Sequence, residues 1–156
     1  MRMRRAQELG LSYPQYASIL TGSGRDIIGF LFTAEGMHLR LQRRLEMPQT
    51  VSTKLADLRN CQLLAFAPSG EAPEPFRAEL AQISGLDIAA AGPGPLDPAG
   101  WALARQAIRS LLDPLRLPGN AVVLIGTRAE EEYWASAGKL ARFLHRDTYF
   151  GAGAVA

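Results

Sequence analysis

A chain of 156 residues, 47% apolar and 21% charged, has the size and composition of one globular domain that buries a core. It has no apolar run near the roughly 20 residues that span a bilayer. The basic start MRMRRAQELG is not followed by the apolar stretch of a signal peptide, and the single Cys61 excludes an intrachain disulfide, so the sequence points to the cytoplasm. The net charge of +2 is uneven: residues 1–60 hold nine Lys/Arg against five Asp/Glu, residues 61–156 eight against ten.

In chain order, Arg2–Leu9 has a helical composition and Gly10 is placed to stop it. Ser12 can cap a second helix, Tyr13–Leu20, with Pro14 in its first turn and Tyr13, Tyr16, Ala17 and Leu20 on one face. Thr-Gly-Ser-Gly ends it. The order of Ala6, Gly10, Leu11, Tyr16 and Ile19 is helix-turn-helix-like, although the helix that usually precedes such a pair is missing and any short helical hairpin gives the same pattern. Ile27–Phe32 is an apolar run, Glu35-Gly36 a turn, and Met37, Leu39 and Leu41 alternate with His38, Arg40 and Gln42. This reads as a β-hairpin with a basic face. Ser52 or Thr53 can then cap a short helix through Arg59.

From Gln62 the pattern is β-α-β-α-β-α. Gln62–Ala67 and Leu86–Ala91 are short buried strands around a helix at Pro75–Ile83, which Gly85 stops. Asp97 caps the next helix, with Pro98 at its first position and Trp101, Ala104, Ile108, Leu111, Leu112 and Leu115 on its buried face. Ala121–Ile125 is the expected central strand, apolar throughout as in a sheet covered on both faces. Thr127 and Glu130 match a capping box for a last helix, Ala129–Leu144. Arg142, His145 and Arg146 suit that helix's negative end. Thr148–Phe150 reads as a short edge strand, and residues 151–156 as a frayed tail.

The expected fold is therefore a small α/β layered sandwich with a mainly parallel sheet, preceded by an N-terminal helical pair and a β-hairpin. Residues 1–47 form a basic extension of it and residues 48–150 its core.

Ligands of such sheets bind beyond the carboxyl ends of the strands. Pro68-Ser69-Gly70, Gly92-Pro93-Gly94 and Gly126-Thr127-Arg128 gather there. Ser69, Gly70, Gly126, Thr127 and Arg128 make a candidate anion site of free N–H groups, hydroxyls and a guanidinium, set against the neighbouring Glu130-Glu131-Glu132. No P-loop, dinucleotide fingerprint or G-x-S-x-G elbow is present, and His38, His145 and Cys61 are too few and scattered to imply a metal. No cofactor is implied. Trp101 and Trp134 suit the core or an oligomer interface.

Two kinds of function follow. The leading one is a non-enzymatic binding or regulatory module, in which Arg4, Arg5, Gln15, Arg40 and Arg43 contact nucleic acid or a protein partner. The alternative is an enzyme or sensor for a small phosphate- or carboxylate-bearing ligand at the strand ends. A role in assembly, through the N-terminal hairpin, is a third expectation.

Overall fold

A computed structural model describes residues 2–41, 45–96 and 100–151. Along the chain, α1 (Arg2–Glu8) and α2 (Tyr13–Ser23) lead into β1 (Gly29–Phe32). A 3-10 turn at Glu35–Met37 follows, then β2 (Arg40–Leu41), β3 (Leu45–Glu46) and α3 (Gln49–Ala56). Next come β4 (Gln62–Ala67), α4 (Pro73–Ser84), β5 (Ile88–Pro93), α5 (Trp101–Leu112), β6 (Val122–Gly126), α6 (Ala129–Ala137), β7 (Arg142–His145) and α7 (Arg146–Phe150).

The α/β fold with N-terminal helices is as expected. Five strands form one parallel sheet in the order β5-β4-β1-β6-β7. The chain starts in the middle, builds outward to β5, then crosses to the other side of β1 and builds outward to β7. Side chains alternate between the two faces of each strand. Phe30, Phe32, Ala65, Val123 and Ile125 pack beneath α1–α4 and α7. Leu31, Leu64, Phe66, Val122 and Leu124 pack beneath α5 and α6.

The middle strand is β1, not the Ala121–Ile125 run, which stands beside it as β6. The hairpin expected from Ile27–Phe32 and Met37–Leu41 does not form. Phe30, Leu31 and Phe32 are completely buried, and only a strand covered on both faces removes three successive large apolar side chains from water. The antiparallel pair that does form is Arg40–Leu41 with Leu45–Glu46.

The long helix expected over Ala129–Leu144 ends at Gly138, where Lys139 takes a φ of +55°. Gly138 lies against Ile108, leaving no room for a side chain. The chain then returns as β7, which pairs with the edge that β6 would otherwise leave open. Thr148–Phe150 is helical rather than a strand. His145 does not neutralise a helix end: its Nδ1 accepts the Asp147 N–H at 3.0 Å and caps α7.

Smaller corrections follow the caps. Ser12 caps α2 as expected, in a reciprocal box with Gln15, but α2 runs on through Ser23. Pro48, rather than Ser52 or Thr53, precedes the first turn of α3. Beta5 lies two residues later than expected, taking in Gly92 and Pro93. Asp97 and Pro98 lie outside the described residues, and α5 begins after Gly100. Trp101 is 46% exposed and lies edge-on to the exposed Tyr133, so it does not fill the core. Trp134 does, at 4% exposure. No helix among the described residues is long and apolar enough to cross a membrane.

Candidate functional site

After β1 the chain builds to one side of the sheet and after β6 to the other, so the strand order reverses between them, and the carboxyl ends beside such a point are where parallel sheets bind ligands. A cavity of about 470 Å³ lies there. Thr33, Ala34 and Glu35 line it after β1, Pro68–Glu71 after β4, and Pro93–Leu96 after β5. Alpha6 contributes Arg128, Glu131 and Trp134.

The wall beneath α6 depends on two close approaches. A side chain at Gly36 would place its Cβ 2.2 Å from the Ile125 carbonyl oxygen. One at Gly126 would meet Glu131 Oε1 at the same distance. The turn after β1 and the Glu131 carboxylate thus both press on the backbone at the end of β6. Thr33 fixes the turn: its N–H donates to the Ile125 carbonyl at 3.1 Å, and its Oγ1 accepts the Gly36 N–H at 3.0 Å.

Glu131 is only 3% exposed. Its Oε1 accepts the Thr127 N–H at 2.7 Å and the Arg128 N–H at 3.1 Å. Its Oε2 accepts from Arg128 Nε at 3.3 Å. The helix start that Thr127 and Glu130 were expected to cap is therefore served one residue later, with Arg128 at the cap position. Thr127 is not the cap. Its hydroxyl donates to Glu35 Oε2 at 2.8 Å, tying the loop after β6 to the turn after β1. The Arg128 guanidinium carbon lies 5.6 Å from the centre of the Trp134 ring, and Trp134 meets Phe66 edge-on at 5.9 Å.

Of the five residues expected to bind an anion, Ser69, Gly70 and Arg128 line the cavity, whereas Gly126 and Thr127 do not. Gly126 lies under Glu131, and the N–H groups of Thr127 and Arg128 are taken by a carboxylate of the chain itself. Thr33, Glu35, Glu71, Glu131 and Trp134 also line the cavity and are not among the site residues expected from the sequence. Glu131 had only an ambiguous signal: it stands three residues after Arg128 just as Glu130 does after Thr127, and the Thr127 pairing is the one that matches a capping box. Glu35 and Trp134 had none, because only the fold brings them to the cavity.

The residues expected to contact nucleic acid are dispersed. Arg4 and Arg40 are exposed. Arg43 lies outside the described residues. Arg5 spends its guanidinium on Asp26, Glu8 and the carbonyls of Ile27, Arg59 and Asn60, at 2.6–3.1 Å. The Gln15 side chain accepts from the Ser12 N–H and reaches the Thr148 carbonyl.

His38 lies behind the turn after β1. It is 7% exposed, holds a φ of +58°, and its Nε2 is buried without a hydrogen-bond partner. Burial pushes its pKa below the ordinary value, and Arg146 adds to the effect. Among the described residues no group of three or more His, Cys, Asp or Glu could hold a metal ion.

Comparison of the chain with protein-family models, curated proteins and solved structures found no match.

Proposed function

We propose that the protein is an enzyme or sensor for a small molecule, bound in the cavity at the carboxyl ends of β1, β4, β5 and β6. The observation that carries this reading is the position of the cavity, beside the point where the strand order reverses, with residues from four segments converging on it. Its volume of about 470 Å³ lies within the range of small-molecule sites.

Contact with nucleic acid through the N-terminal region has less support. Arg5 is committed inside the fold. The second helix of the pair, which would have to enter a groove, contains no Lys or Arg between Tyr13 and Ser23.

A thermal-shift screen with nucleosides, nucleotides, aromatic amines and phosphorylated metabolites tests the proposal. A compound at 100 times its dissociation constant adds about 2.7 kcal/mol of stability. Ser69→Trp, at an exposed position on the cavity lining, is expected to abolish any such shift without unfolding the protein. A shift that survives Ser69→Trp, or no shift with any compound, would contradict it.

A further inference from the structure

We infer that the cavity takes a flat, neutral or cationic ring bearing amino or hydroxyl donors, as a nucleoside does, and turns away the phosphorylated form of the same compound. The inference rests on the small-molecule reading of the cavity and narrows it.

Three observations carry it. First, the seat that a helix start offers to an anion is already filled. The N–H groups of Thr127 and Arg128 point at Glu131, and Arg128 Nε pairs with the same carboxylate. An incoming phosphate would have to expel a side chain that is 3% exposed and wedged against Gly126. Second, the charge at the cavity has the wrong sign for an anion. Its described lining holds three carboxylates, Glu35, Glu71 and Glu131, against one guanidinium, Arg128. Arg128 and Glu131 offset each other, which leaves Glu35 and Glu71 uncompensated by another lining cation. Both are exposed and present acceptors to a donor-bearing ligand. A phosphate beside them would be repelled. Third, apart from Thr33 and Ser69 the other side chains of the described lining are apolar. Its exposed apolar surface comes from Pro93 and Leu96, with the half-buried Pro95, and the buried Phe66 and Trp134 lie edge-to-face behind it. Rings gain most from such a surface.

Glu35 and Glu71 have different duties. Glu35 also accepts from Thr127 and so helps hold the turn. Glu71 stands on an exposed loop, and its backbone N–H closes a turn to the Pro68 carbonyl. Its side chain can therefore be exchanged without disturbing the fold.

Calorimetric titration of the whole chain with adenosine and with adenosine 5′-monophosphate tests the inference, with Glu71→Lys and Ser69→Trp as variants. Adenosine is expected to bind at least about tenfold more tightly than its monophosphate, a ratio worth about 1.4 kcal/mol. Glu71→Lys should narrow or reverse that ratio, and Ser69→Trp should remove both affinities. Equal or tighter binding of the monophosphate to the wild type, lost in Ser69→Trp, would overturn the ligand class while leaving the site in place. A preference for adenosine that Glu71→Lys does not change would overturn the role given to the carboxylates. If neither compound binds, the ligand class falls. The site falls with it only when the broader screen is also silent or insensitive to Ser69→Trp.

Discussion

The two ends of the sheet are closed by opposite chemistry. At the amino end, the Arg5 side chain, 15% exposed, gathers the carbonyls of Ile27, Arg59 and Asn60 and pairs with Asp26 and Glu8. One cation there satisfies the acceptors of two converging segments. At the carboxyl end a buried carboxylate, Glu131, gathers the N–H groups of Thr127 and Arg128. Each end also has a concavity. That at the amino end, about 340 Å³, is lined largely by Leu55, Leu58, Leu63, Leu86 and Cys61, and burial pushes the Cys61 thiol up to about 11, leaving it protonated at neutral pH. The carboxyl-end cavity is larger and rimmed by Glu35, Ser69, Glu71 and Arg128.

The largest expected effect is at the carboxyl end. Gly36→Ala would drive a methyl group into the Ile125 carbonyl, which is backbone and cannot rotate away. It is expected to cost about 4 kcal/mol, read as a lowered midpoint in urea unfolding. A cost below about 1 kcal/mol would show that the turn after β1 does not press on β6.

The matching test at the amino end is Arg5→Met, which keeps the length of the stem and removes five donors. Leaving the Ile27, Arg59 and Asn60 carbonyls without their partner is expected to cost about 3 kcal/mol. Ligand binding at the far end should be unchanged. If Arg5→Met were neutral and instead weakened a salt-dependent affinity for duplex DNA, Arg5 would belong to a nucleic-acid surface.

The smallest effect concerns His38. Its folded pKa lies below the unfolded value of 6.5, so the unfolded chain takes up a proton first as the pH falls. Stability is full above that value and declines as the pH drops through it toward the folded pKa. Arg146, Asp147, Arg40 and His145 surround the imidazole. Arg146 opposes its protonation more than any other charge there. Asn accepts the positive φ at this position, so His38→Asn should flatten the loss of thermal stability below pH 6.5. An unaltered pH profile would assign the decline to other groups.

Much of this architecture is legible in the residues. The strand at Gln62–Ala67 and the helical periodicity of Ala104, Ile108, Leu111 and Leu112 stand where the sequence puts them, and the Ala121–Ile125 strand is shifted by one residue to Val122–Gly126. Ile27–Phe32 misled because the alternation that follows it suggests a hairpin. Burial on two faces depends on α7 on one side and α5 and α6 on the other arriving from distant parts of the chain, which no local window contains. The break at Gly138 was visible in the sequence, but a helix stripe can be continued through Leu140 and Leu144 by spacing alone. At the site, Ser69, Gly70 and Arg128 could be placed because strand ends are predictable from topology. Glu131 could not be told from Glu130, since a one-residue shift in the helix start decides which carboxylate turns inward.

The account turns on ligand binding at the carboxyl end of the sheet. The most direct measurement is an amide NMR titration of isotope-labelled protein with a mixture of nucleosides and aromatic amines. Shifts concentrated at Thr33, Glu35, Ser69, Gly70, Gly94 and Arg128, with Leu58, Cys61, Gly85 and Leu86 unmoved, are the predicted result. Shifts gathered at the amino end, or none at any residue, would contradict it.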